Sequence, residues 1–171
     1  MPSARLINFS VFLTCIALML VAFYFEYVKE LEPCPLCMAQ RVVVVAIGLI
    51  AGLAALQNPK QWGLKVYGVT LFLVALAGIG LAARQVWLQH LPEDLVPACG
   101  PGIYYMLDVF PMQEVLTNML MGTGDCAEVV WQDPVLQLSI PSWTLIWFSF
   151  MALVFITHLF RKPLNSAEQN N

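Results

Sequence analysis

The sequence predicts an all-α membrane protein: a four-transmembrane-helix bundle with a short interfacial helix in its second outer loop. Composition comes first. The chain is 60% hydrophobic and only 11% charged, where soluble domains run near a quarter charged. Hydropathy comes next: four apolar runs, at about 7–25, 38–56, 66–83 and 143–160, approach the roughly 20 residues needed to cover a bilayer core. None has the polar face of a soluble core helix. One four-helix domain over residues 1–171 is expected.

The first run follows a single Arg5 and has no small-residue cleavage signature, so it reads as a retained anchor. The first outer loop, about 26–37, is short and acidic and leads into Cys34. The second run is untidy, because Gln40 and Arg41 sit in its first turn. An inner loop at 57–65 holds a tight Asn58-Pro59 turn and makes the second and third helices antiparallel neighbours.

The second outer loop, about 85–141, is far longer than the usual links between bundled helices and too apolar for disorder. Within it Met112, Val115, Leu116, Met119 and Leu120 recur at i, i+3, i+4, i+7 and i+8, with Pro111 at a first helical position. About ten residues cannot span a bilayer, so a helix lying flat at the interface is expected, the alternative being a lid on the bundle. Such a helix leaves Cys99 and Cys126 on flexible, water-facing flanks beside Gly100, Gly102, Gly122 and Gly124. The polar tail, about 165–171, is expected to be disordered.

Basic residues orient the bundle. With both termini inside, Arg5, Lys60, Lys65, Arg161 and Lys162 fall on the inner side, against Lys29, Arg41 and Arg84 outside. Both termini are therefore expected in the cytoplasm, and Cys34, Cys37, Cys99 and Cys126 on the outer face. Disulfides persist in such compartments, so these four cysteines are expected to be bonded or working. With a net charge of −3, nothing points to a nucleic-acid partner.

Cys34-Pro35-Leu36-Cys37 opens a helix, where unsatisfied N–H groups and the helix dipole favour a thiolate. Pro35 suits that start because it needs no hydrogen-bond donor there. Arg41 follows Cys37 by four residues and shares its helix face. A cation near a helix start opposes the dipole, so stability gives it little reason to be there. It can hold a thiolate or hydrogen-bond the carbonyl of a bound electron acceptor; the alternative is an anchor snorkelling to the headgroups. Cys99 and Cys126 lack CxxC spacing, which argues against a second metal knuckle, and no metal is expected. Two dithiols on one face of a bilayer suit electron transfer between a soluble protein and a membrane carrier.

Pro33-Cys34-Pro35-Leu36-Cys37, Gln40-Arg41, Gly124-Asp125-Cys126-Ala127-Glu128, Trp131 and Pro141-x-Trp143 together closely resemble the disulfide bond formation protein B (DsbB) family. So does the layout, with one cysteine pair in each outer loop. The resemblance implies a multi-pass protein of the bacterial inner membrane, its redox cysteines in the periplasm. It implies an oxidase that regenerates a soluble thioredoxin-fold partner of the DsbA type and passes electrons to a membrane quinone, ubiquinone or menaquinone. By the same resemblance, Cys99 forms the mixed disulfide with the partner and Cys126 leaves, then attacks Cys34. Cys37, released as a thiolate, donates to the quinone, which Arg41 positions. The competing readings are a paralogue dedicated to one partner and a non-catalytic protein whose loops are stapled by disulfides.

Other residues carry weaker signals. Cys15, mid-helix, reads as a small hydrophobe. His90 can donate a proton to reduced quinone or be a plain interfacial histidine, and His158 is assigned nothing. Arg84 and Gln85 can line a quinone pocket or simply anchor the third helix. Trp62, Trp87, Trp131 and Trp143 suit an aromatic belt.

Overall fold

The computed structural model describes residues 3–100 and 102–160. Six α-helices occur among them: α1 Ala4–Tyr27, α2 Pro35–Gln57, α3 Gln61–Leu88, α4 Ile103–Val109, α5 Met112–Met121 and α6 Ile140–Phe160. Short 3₁₀ turns occupy Glu93–Leu95 and Gly124–Cys126, and an isolated antiparallel bridge joins Gln132 to Ser139. Helices α1, α2, α3 and α6 are long and apolar enough to cross a membrane. The tail at 165–171 lies outside the described residues.

Local chemistry sets the ends of these helices. Ser3 caps α1 by accepting the Leu6 N–H at 3.2 Å. Cys34 is the N-cap of α2 and Pro35 its first helical residue, so the cysteine motif and the helix start coincide. Asn58, left-handed at φ 42°, ends α2 ahead of Pro59. Within α1, the hydroxyls of Ser10 and Thr14 bond back to Leu6 and Ser10 carbonyls, which hides them from hydrocarbon.

The bundle packs α1 on α2, α2 on α3 and α3 on α6. Its main core joins Val11 and Cys15 of α1, Val44, Ile47 and Ala51 of α2, Leu71 and Ala75 of α3, and Phe148, Met151 and Phe155 of α6. Cys15 is buried in the α1–α2 seam, where a Cβ built on Gly48 would lie 3.0 Å from its own Cβ. It packs there as an apolar residue does.

The helix at Met112–Met121 forms where the periodicity places it, with Pro111 as its N-cap rather than its first residue. Its apolar stripe divides. Val115 is buried with Ile103 and Met106 of α4, and Met38 and Met119 pack against that cluster. Met112, Leu116 and Leu120 are exposed. The inner face thus behaves as the lid alternative describes, while a second apolar row looks outward. Helix α4 has no counterpart in the sequence reading, because seven residues are too few to show a convincing period.

Candidate functional site

Three sulfurs cluster at the end of the bundle opposite the α2–α3 turn. Cys34 Sγ lies 3.3 Å from Cys37 Sγ, and the Cys34 thiol also hydrogen-bonds Cys126. Cys34 is thus the shared neighbour of the other two. All five cysteines are thiols in this structure.

Cys126 arrives by a specific route. Gly122, at φ 79°, ends α5 in a conformation that side chains disfavour, and a Cβ there would lie 2.6 Å from Leu36. The chain then turns through Gly124–Cys126 into a small apolar cluster with Leu36 and Leu88. Cys126 is fully buried, which departs from the expectation that both second-loop cysteines sit on water-facing flanks. Its pKa falls from 9.0 to about 7, first because it accepts the Cys34 hydrogen bond; burial opposes this, and the backbone of Leu36 and Thr123 and the Thr123 hydroxyl assist. Cys34, whose single S–H is shared between Cys126 and Cys37 and which is buried besides, is pushed strongly up.

Cys99 is exposed. Its segment is tied to the Cys126 turn by the Gly124 N–H, which donates to the Ala98 carbonyl at 3.1 Å. The approach is close enough that a Cβ on Gly124 would meet the Pro97 carbonyl oxygen at 2.5 Å. The Asp125 carboxylate is fixed by the Gly100 N–H at 3.3 Å and the Thr123 hydroxyl at 3.1 Å. It raises the Cys99 pKa, first by accepting the thiol's hydrogen bond and then by its charge.

Arg41 sits on α2 one turn beyond Cys37, but its guanidinium turns toward α1. It is ion-paired with Glu26, donates to the Ala22 carbonyl at 3.3 Å and lies 5.9 Å from the Phe23 ring. The Tyr104 hydroxyl of α4 donates to the same Glu26 carboxylate. Stability therefore does give Arg41 a reason to be there, contrary to the expectation from the helix dipole.

A buried amide relay runs beside the sulfurs. Gln85 of α3 donates to Cys34 Sγ at 3.3 Å and to Cys37 Sγ at 3.2 Å, and accepts from Gln40 at 2.7 Å. Thr144 of α6 donates to Gln40 at 2.6 Å. Arg84, next in the chain, points elsewhere: it donates to the Met121 carbonyl at 3.3 Å and stacks on Trp87 at 4.6 Å. His90 is exposed, with Nδ1 2.8 Å from the Val86 carbonyl oxygen. Among the described residues no group of His, Cys, Asp and Glu is arranged to hold a metal ion.

The sequence of this chain has counterparts among known proteins. A family model for disulfide bond formation protein DsbB matches residues 4–158. The chain belongs to the DsbB family. It is 54% identical to disulfide bond formation protein B of Hahella chejuensis over 93% of this chain and 95% of that one. Identity to the Nitrosococcus oceani protein of the same name is 51%, over 89% of each chain. To disulfide bond formation protein B 1 of Pseudomonas aeruginosa it is 46%, over 86% of this chain and 90% of that one. As a DsbB-family protein it is a disulfide-forming oxidoreductase of multi-pass membrane architecture.

The five residues singled out in the sequence are distributed unevenly on this DsbB-family scaffold. Cys34, Cys37 and Cys126 come together, Cys99 lies at the surface beside Gly124, and Arg41 faces its ion pair. Sequence reasoning missed Glu26 as the Arg41 partner, Asp125 as the Cys99 neighbour, and Gln85 as the sulfur donor. An acid at the same helix-end depth as Arg41 was the available signal for Glu26.

Proposed function

We propose that this protein reoxidises a reduced, soluble thioredoxin-fold dithiol protein of the DsbA type in the periplasm and passes the electrons to a membrane quinone. The observation that carries this reading is the position of Cys34, in contact with both Cys37 and Cys126. A sulfur with two sulfur neighbours can exchange one disulfide partner for the other with little motion.

The exchange begins at Cys99, the exposed cysteine. A partner thiolate attacks Cys99 of a Cys99–Cys126 disulfide, and the electron pair leaves on Cys126. Thiols of lower pKa leave faster; with Cys34 oxidised, the backbone of Leu36 and Thr123 and the Thr123 hydroxyl still favour a thiolate on Cys126, whereas Asp125 disfavours one on Cys99. The Cys126 thiolate then attacks Cys34 of the Cys34–Cys37 disulfide. A Cys34–Cys126 bond forms, the Cys34–Cys37 bond breaks, and Cys37 becomes a thiolate at the start of α2, where the helix end stabilises it. A second partner thiol resolves the mixed disulfide at Cys99 and releases the partner oxidised.

The residues around Cys37 suit a planar, apolar ring bearing carbonyl oxygens. Phe23 and Met38 offer apolar surface next to Arg41, and a guanidinium has five N–H donors, more than Glu26 and Ala22 occupy. Arg41 and Cys37 would hold such a quinone, which when bound supplies the two-electron acceptor. The excess of Arg and Lys on the inner side supports an orientation with the cysteines in the periplasm and both termini in the cytoplasm of the bacterial inner membrane.

The test is oxidation of a reduced DsbA-type protein by the purified protein in detergent, with and without ubiquinone or menaquinone. Quinone-dependent turnover lost in Cys37→Ser and in Cys99→Ser is the expected result. No turnover with either quinone, with the four loop cysteines locked in disulfides, would instead assign them a purely structural role.

A further inference from the structure

Gln85 is 3% exposed, and its amide is buried in the bundle beside the Cys34 and Cys37 sulfurs and the Gln40 amide. Uncharged polar groups buried within a membrane bundle are costly unless satisfied and tend to mark function. Both of its N–H bonds are directed at sulfur, one at Cys34 and one at Cys37. Its oxygen accepts from Gln40 at 2.7 Å and more distantly from the Cys37 thiol at 3.7 Å, and the Gln40 oxygen accepts from Thr144. The relay crosses α2, α3 and α6 and fixes which way round the amide lies. Reversing Gln85 would set two NH2 groups against each other and aim an oxygen at the sulfurs.

We propose that Gln85 is a catalytic residue of the Cys34–Cys37 centre, a preorganised donor for the sulfur that departs as thiolate, with Gln40 and Thr144 as its positioning residues. This rests on the assignment of Cys34–Cys37 as the redox-active pair made above. When Cys126 attacks Cys34, the Cys34–Cys126 bond forms, the Cys34–Cys37 bond breaks and its electron pair stays on Cys37. The Gln85 N–H is already within hydrogen-bonding distance of that sulfur. Hydrogen bonds to a charged acceptor are about twice as strong as neutral ones, so the donor favours the thiolate over the disulfide. A donor that need not reorient lowers the barrier as well as the product energy. Its second N–H polarises Cys34, the sulfur under attack. Arg41 does not substitute for it, since that guanidinium is directed to Glu26 and Ala22. The helix start supplies a diffuse positive field, whereas Gln85 supplies a directed bond from a neighbouring helix.

The experiment isolates this pair in a quinone-free Cys99→Ser/Cys126→Ser protein equilibrated with a dithiol redox buffer. Gln85→Met keeps the side-chain length and removes the donors. Its equilibrium constant for reduction of Cys34–Cys37 should fall roughly tenfold, the size expected for one hydrogen bond to a charged group. Thiolate absorbance of the reduced pair should appear at higher pH. Gln40→Met, which leaves Gln85 in place but unheld, should move both quantities the same way by less, and decides the matter if Gln85→Met does not fold. An equilibrium constant within twofold of the parent's in a folded variant, even with a lowered melting temperature, overturns the proposal and leaves Gln85 a packing residue. No quinone enters this measurement, so failure of the quinone assignment would appear only in the turnover assay of the unaltered protein.

Discussion

Arg41 at the start of α2 is ion-paired with Glu26 at the end of α1, with both side chains at least four-fifths buried. The pair joins the first two helices beside the cysteine motif, and Tyr104 ties α4 to the same carboxylate. Arg41 therefore holds the helix ends together, and under the proposed function its remaining N–H groups would meet the electron acceptor.

These two roles separate in the variants. Arg41→Ala should slow quinone reduction strongly while leaving exchange between Cys99 and the partner nearly intact. Glu26→Gln keeps the guanidinium and should cost about 2 kcal/mol of stability, as expected for losing a hydrogen-bonded charge partner, with quinone reduction retained in part. Stopped-flow assays of each half-reaction, with thermal melts, read both. Equal loss of the two half-reactions in Arg41→Ala would end this division of labour.

The fully reduced protein should hold a buried thiolate at neutral pH. Cys126 is lowered to about 7 chiefly by the Cys34 hydrogen bond, so its thiolate is present above that pH and is protonated as pH falls through it. In a Cys37→Ala background, thiolate absorbance should show a midpoint near 7. Adding Cys34→Ala removes the first-ranked donor, so the midpoint should move up toward the ordinary 9.0. An unchanged midpoint would mean that Cys34 is not the donor.

Local features of this site were legible in the sequence and remote ones were not. Cys34 as cap and Pro35 as first helical residue follow from neighbours in the chain, and so does the α5 stripe. The burial of Cys126 does not, because Leu36 and Leu88, which cover it, belong to two other helices. Polar and glycine-rich surroundings made its segment look exposed, whereas Gly122 and Gly124 serve close approach. Gln85 was visible as a polar residue at a helix end, yet its donors find the sulfurs only once α3 lies against α2.

Asp125 sets the chemistry of Cys99. The carboxylate accepts the thiol's hydrogen bond and repels the thiolate, holding the Cys99 pKa above its usual value. Asp125→Asn removes the negative charge, so the pKa should fall and the thiolate fraction at a given pH should rise. Site-resolved alkylation of Cys99 by iodoacetamide in the reduced protein, from about pH 6 to 9, should then quicken severalfold near pH 8. A rate equal to that of the parent would show that the carboxylate does not act on this thiol.

The two rows of α5 make opposite predictions. Val115 is 1% exposed and packs against Ile103 and Met106, so Val115→Asp would bury an unpaired charge and should unseat α4 and α5 from α2. Leu116, one residue on, is 53% exposed and touches no such cluster. Leu116→Asp should leave the melting temperature nearly unchanged. If the outer row of Met112, Leu116 and Leu120 lies on the bilayer, the same substitution should weaken quenching of a fluorophore at Leu120 by brominated lipids in reconstituted vesicles. Quenching that is absent from the parent, or unaltered by Leu116→Asp, would make α5 a lid whose outer row faces water.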